Sequence, residues 1–263
     1  MFSNILFSNS ANAQTAAEYN HKGIEKAKEK KYEEAIEFYN KAIDVDPKIS
    51  ETYYNRGIAK RQIKDFTGAI LDFSQAIQLN PFDSQAYVNR GNVKKNLNNL
   101  KGALQDFDSA IVISPAFAEA YNNRGDLRRL LKEFDKSIID LDKAILLNPK
   151  LAEAFYNRGL VKTALNNLRG AIQDYTKAIE LTPQDIQSFY NRGNVKHKLK
   201  DYSGAILDFT SAIKINPKYT EAYYNRAISK LLIDDKNSAC LDLNKAVELG
   251  EISAYDLIKS YCK

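Results

Sequence analysis

An all-α fold, built as a stack of helix hairpins, is predicted by three features of this sequence. All six prolines, Pro47, Pro81, Pro115, Pro149, Pro183 and Pro217, recur every 34 residues, and a strict period of that length marks a stacked-repeat architecture. Gly23, Gly57, Gly91, Gly125, Gly159 and Gly193 keep the same spacing, while Gly68, Gly102, Gly170 and Gly204 keep a second register, leaving only Gly250 outside both. Within each period apolar residues recur twice at helical spacing, separated by a short polar break such as KDF or NNL.

The elements follow in order. Residues 1–15 are expected to be a disordered leader or a truncated signal peptide. Ala11-Asn12-Ala13 before Gln14 has the small-x-small form of a cleavage site, but a cationic start is missing and the apolar part, Ile5 to Phe7, is short. The protein would be exported if that site is real and cytoplasmic otherwise. Counting from Ala16 gives seven units, 16–49, 50–83, 84–117, 118–151, 152–185, 186–219 and 220–253, and a tail 254–263. In the fifth unit Phe155, Leu160, Val161 and Leu165 mark a first helix, and Ala171, Ile172, Tyr175, Ala178 and Ile179 a second. The proline stops the second helix, because it has no N–H to donate and disfavours helix in the residue before it. In the tail, Leu257, Ile258 and Tyr261 at helical spacing predict a short helix capping the last hairpin.

Composition narrows the function classes. With 263 residues, 44% hydrophobic and 27% charged, the chain can bury a large core, and no apolar run reaches the length of a bilayer span. No Trp, two His and two Cys leave little from which to build metal or nucleophilic sites, so no enzyme activity, metal or cofactor is expected. The net charge of +5 arises from 38 basic residues interspersed with 33 acidic ones, which makes no nucleic-acid patch. His21 and His197 lie more than five units apart and cannot share a metal. Cys240 and Cys262 are expected as two unpaired thiols, with a disulfide as the alternative in an exported protein.

The repeat resembles the tetratricopeptide repeat, whose pattern fixes an aromatic, glycine, alanine, aromatic, alanine and proline. These are Tyr53, Gly57, Ala69, Phe73, Ala76 and Pro81 in the second unit, and Phe189, Gly193, Ala205, Phe209, Ala212 and Pro217 in the sixth. Ser137, Ala227, Glu251, Leu141 and Leu243 depart from it. The resemblance covers residues 16–253 and implies a right-handed α-α superhelix that binds proteins. A mid-helix glycine costs about 1 kcal/mol relative to alanine, offset here by the expected close approach of the partner helix at Ala35, Ala69, Ala103, Ala171 and Ala205.

Two charged rows share the period. Arg56, Arg90, Arg124, Arg158, Arg192 and Arg226 precede the glycine position, and Asp72, Asp106, Asp140, Asp174, Asp208 and Asp242 lie on the second helix. The first unit has Lys22 and Phe38 instead, so the two rows come and go together. One structural charge pair per hairpin is expected, shared with the row Lys26, Lys60, Lys94, Arg128, Lys162, Lys196 and Lys230. A ligand-facing basic stripe that binds nucleic acid is the disfavoured alternative, and a self-assembling structural module is another.

In the family the first helices line the concave surface. There Asn55, Asn89, Asn123, Asn157, Asn191 and Asn225 form a ladder, with His21 in the equivalent place of the first unit. A side-chain amide offers donors and an acceptor that match a peptide backbone without demanding a sequence. The ladder resembles that of the superhelical repeats of O-GlcNAc transferase, which implies a groove for an extended peptide. Tyr54, Tyr156, Tyr190 and Tyr224 flank it, with Val88 and Asn122 in the other units. Ile58, Asn92, Asp126, Leu160, Asn194 and Ile228 vary one turn on, where side-chain selectivity is expected. The competing reading is that each Asn bonds to the neighbouring repeat's backbone and sets the stacking. Glu51, Gln85, Glu119, Glu153, Gln187 and Glu221 at helix starts, with Arg61, Lys95, Arg129 and His197 near their ends, suit the helix dipole without a ligand. Binding of heat-shock chaperone tails is disfavoured, because the lysines that clamp their carboxylate are replaced by Asn, Tyr or Val and by Glu or Gln.

Overall fold

The structure, a computed structural model, describes the backbone of residues 2–262 and the side chains of residues 15–262. The leader reading of 1–15, with its Ala11-Asn12-Ala13 motif, rests on side chains outside the described residues. The fold is all-helical among the described residues and divides into two compact units, residues 1–127 and 128–263.

The first unit holds α1 (Phe2–Lys28), α2 (Tyr32–Val45), α3 (Ser50–Gln62), α4 (Phe66–Leu79), α5 (Ser84–Asn96), α6 (Leu100–Ile113) and most of α7 (Ala118–Leu130). The second holds α8 (Phe134–Leu147), α9 (Ala152–Ala164), α10 (Leu168–Leu181), α11 (Ile186–Lys198), α12 (Tyr202–Ile215), α13 (Thr220–Leu231), α14 (Lys236–Glu248) and α15 (Ala254–Tyr261). Hairpins pair α1 with α2, α3 with α4 and α5 with α6, then α9 with α10, α11 with α12 and α13 with α14. First helices also touch one another, α1 with α3, α3 with α5, and α11 with α13.

Each hairpin turn is made the same way. Lys64, at φ 64°, closes the end of α3, and the Asp65 N–H bonds to the Lys60 carbonyl at 2.9 Å, a glycine-type helix stop adopted here by a residue with a side chain. Asp65 then caps α4 by accepting from the Gly68 N–H at 2.9 Å. Asn99, Asn167 and Asp201 do the same for Gly102, Gly170 and Gly204. A Cβ on Gly68 would crowd the capping carboxylate, although Asp235 makes the same cap to the Ser238 N–H at 3.3 Å.

The core of most hairpins is an aromatic ring between alanines, with Leu141 and Leu243 in the ring's place in two. Phe73, Phe107, Tyr175 and Phe209 are fully buried, each with alanines one turn either side on its own helix. Burying such a ring contributes about 2 to 3 kcal/mol. The mid-helix glycines face these rings rather than the alanines expected from the sequence. A Cβ on Gly57 would meet Phe73 at 2.8 Å, and one on Gly193 would meet Phe209 at 2.7 Å. Ala227 is tolerated because Leu243 stands where the ring would be, in the same buried cluster.

The seventh hairpin ends without proline. Gly250, at φ 105°, makes the turn, and the Glu251 N–H closes it on the Ala246 carbonyl at 2.8 Å. Leu257 and Ile258 of α15 then pack on Leu243, Ala246 and Val247. Tyr261, expected to join them, stays exposed. The expectation of two free thiols is overturned: Cys240 and Cys262 form a disulfide across a Cα–Cα distance of 5.7 Å. The turn at Gly250 carries the end of α15 back beside α14, a proximity that spacing alone does not show.

Candidate peptide-binding face

The arginine row is consumed inside the stack. Arg56 donates through Nε and Nη2 to both carboxylate oxygens of Asp72, at 2.8 and 2.6 Å, and Lys60 meets the same carboxylate at 2.9 Å. Arg90, Asp106 and Lys94 repeat this arrangement, as do Arg158, Asp174 and Lys162, then Arg192, Asp208 and Lys196, then Arg226, Asp242 and Lys230. Arg124 and Asp140 fall in different units. Within its own unit Arg124 donates to Asp108 at 2.7 Å, and Arg128 donates to Asp140 at 2.7 Å. The aspartates are buried, and each guanidinium lies 5.5 to 5.6 Å from the ring three residues before it.

The sequence reading missed a third partner. Nη1 of each arginine reaches the second helix of the preceding hairpin, at Asn40, Ser74, Asp108, Asp142, Thr176 and Thr210 in turn. This row shares the 34-residue period but mixes residue types, which hid it. One arginine therefore ties three helices together. Such buried networks fix which surfaces meet more than they add net stability.

The asparagine ladder also spans neighbouring repeats, through tyrosine hydroxyls rather than backbone. Asn89 donates Nδ2 to the Tyr54 hydroxyl at 3.0 Å, Asn191 to Tyr156 at 3.1 Å, and Asn225 to Tyr190 at 2.9 Å, each partner standing 35 residues earlier. Asn55 donates to Asn20 at 3.4 Å, Asn123 accepts from Asn122 at 3.4 Å, and Asn157 is buried. No hydrogen bond of Tyr224 is found among the described residues, and its ring joins the cluster under the cap. The tyrosine rings lean on the core aromatics, Tyr54 on Phe73 at 5.9 Å and Tyr190 on Phe209 at 5.8 Å. Burial, ahead of the Asp83 charge, raises the Tyr54 hydroxyl above its ordinary pKa.

Within the two units these amides differ in what remains of them. In the first, Asn89 is saturated: Nδ2 also donates to the Gln85 carbonyl, and Oδ1 accepts from Arg61 at 2.8 Å. Oδ1 of Asn55 in that same unit, and of Asn191 and Asn225 in the second, accepts no hydrogen bond among the described residues, while Nδ2 is held in the stack.

The last turn of the first helix decides what crosses each junction. Arg61 crosses from α3 to α5, Lys95 from α5 to Asp126 of α7 at 2.9 Å, and His197 from α11 to Ser229 of α13 at 2.8 Å. The Ser229 hydroxyl donates to the Asn225 carbonyl, so the neutral His197 ring donates from Nδ1. Burial holds its pKa below the ordinary histidine value. Thr163, the counterpart in α9, instead turns back to Gly159 O at 2.8 Å and the Tyr175 hydroxyl at 3.2 Å. A cavity of about 360 Å³ opens between α9 and α11.

Among the described residues there is no cluster of three or more metal-ligating side chains, and no helix is long and apolar enough to cross a membrane. The fold and this face define a helix-hairpin repeat of the protein-interaction class. The chain belongs to the tetratricopeptide repeat family: models of that repeat match residues 16–49, 50–83, 84–117, 118–151 and 186–219, and a TPR repeat model matches 160–200. No curated protein matches. Among solved structures, the chain is similar to YrrB, a TPR protein with an unusual peptide-binding site, at 23% identity over 71% of this chain and 97% of that one, TM-score 0.60. It is similar to a tetratricopeptide repeat protein from Parabacteroides merdae at 20% identity over 95% and 100% of the two chains, TM-score 0.69. PilF of Pseudomonas aeruginosa matches at 16% identity over 80% and 96%, TM-score 0.72. These likenesses show the superhelical fold.

Proposed function

We propose that this protein is a non-enzymatic scaffold that captures an extended segment of a partner protein along its first-helix face. The observation that carries the proposal is the half-used amide. Asn191 and Asn225 spend Nδ2 on the stack and leave Oδ1 free for a partner's backbone N–H. Scaffolding and ligand capture thereby fall to opposite ends of one side chain. The arginine row supports no nucleic-acid reading, since its guanidinium groups are bonded within the stack. The disulfide that fastens the cap supports work in an oxidising compartment.

A main-chain hydrogen bond contributes about 1 kcal/mol, so Asn191→Ala with Asn225→Ala should weaken peptide binding roughly thirty-fold. Tyr190→Phe removes the acceptor of one strut and keeps Asn225 Oδ1, so it should lower stability and preserve affinity. Fluorescence anisotropy with a peptide selected from a random dodecapeptide library measures both. Unchanged affinity in a folded double variant contradicts the proposal.

A further inference from the structure

We infer that the cavity between α9 and α11 is the specificity pocket of this face, and that it takes one aliphatic side chain of the captured segment. The inference rests on the peptide-capture reading above and adds which residue of the peptide is read.

The argument begins with side-chain length. At three junctions between first helices, Arg61, Lys95 or His197 crosses to the next helix. At the α9–α11 junction the same register holds Thr163, followed by the equally short Ala164. Thr163 is bonded back to its own hairpin, so the space its counterparts use stays open.

The walls define the occupant. Leu160 and Ala164 from α9, Val195 from α11 and the Tyr175 ring give an apolar floor, the Thr163 and Tyr175 hydroxyls there are bonded to each other, and Asn191, Asn194 and Lys198 stand around it. A cavity of about 360 Å³ exceeds any one aliphatic side chain, so the rest of its volume admits the backbone beside that side chain. An extended peptide supplies what the rim lacks: an N–H for Asn191 Oδ1, and a carbonyl for the Lys198 ammonium, which has one bond, to Asn166 Oδ1 at 2.9 Å, among the described residues. A cationic side chain would meet the Lys198 charge. A carboxylate would gain only a solvent-exposed pairing with Lys198 while losing its hydration against Leu160 and Val195, a net cost. An aliphatic side chain meets neither penalty.

The test uses the full chain and a phage-displayed random dodecapeptide library, with two variants that import residue types the stack already carries in this register. Thr163→Arg copies Arg61 and fills the cavity, and Leu160→Asn copies Asn92 and Asn194 and makes its floor polar. The expected result is a selected set sharing one aliphatic residue at a fixed position, with affinity at least ten-fold weaker for either folded variant. Selected peptides with no shared aliphatic residue, or binding undiminished in both variants, overturn the pocket and leave groove capture standing. A library that yields no binders to the wild-type chain overturns peptide capture and the pocket together.

Discussion

The first and second units are built on one 34-residue template, yet their first-helix faces are finished differently. In the first, Arg61 and Lys95 bridge adjacent helices and Arg61 saturates Asn89. In the second, His197 still crosses from α11 to α13, but at the α9–α11 junction Thr163 stays bonded within its own hairpin, a cavity opens, and Asn191 keeps an unused acceptor. A repeat stack can thus keep its packing constant while the side chain at one junction alters the surface presented there.

The comparison breaks first if the shared framework is not shared. Asp106→Asn in the first unit and Asp208→Asn in the second should each cost roughly 3 kcal/mol, since either leaves an arginine and a lysine without their buried carboxylate. Urea unfolding should show the two losses to be equal, and a large inequality would mean that the units are not held by the same network. Next in size, reducing the Cys240–Cys262 bond should destabilise the end of the second unit by about 2 to 3 kcal/mol. Hydrogen exchange should accelerate in α15 while α2 to α6 stay unchanged. Gly193→Ala should cost about 1 to 2 kcal/mol, the overlap with Phe209 outweighing the better helix propensity of alanine. Gly57→Ala should behave alike, by thermal denaturation.

The smallest effect sharpens the contrast. Burial lowers the folded pKa of His197, so the fold prefers its neutral ring. The stability this confers is present above the unfolded pKa, near 6.5, and is lost as pH falls below it, because the unfolded chain takes up the proton more readily. Urea midpoints at pH 7.5 and pH 5.5 should show a small acid loss that His197→Gln removes.

Much of this was legible in the sequence, for reasons that also mark where legibility stops. The period reveals hairpins because the same letters recur, and the arginine and aspartate rows could be matched because both appear and vanish together. The row from Asn40 to Thr210 has the same period but several residue types, so the arginines' third partner escaped notice. The glycines were correctly placed at a close approach, but ring direction decided that Phe73 and Phe209, not the alanines, are what they approach. Asn and Tyr both stand out in the pattern, whereas the bond between them runs across the repeat boundary at a spacing of 35. The cavity depends on where Thr163 points, which no spacing records.

The central claim is that Asn191 and Asn225 receive a partner's backbone while Asn89 does not. The most direct measurement is side-chain amide chemical-shift mapping by NMR as a library-selected dodecapeptide is added to the full chain. The account predicts shifts at Asn191 and Asn225 with Asn89 unmoved. Shifts at Asn89 with Asn191 and Asn225 unmoved would contradict it.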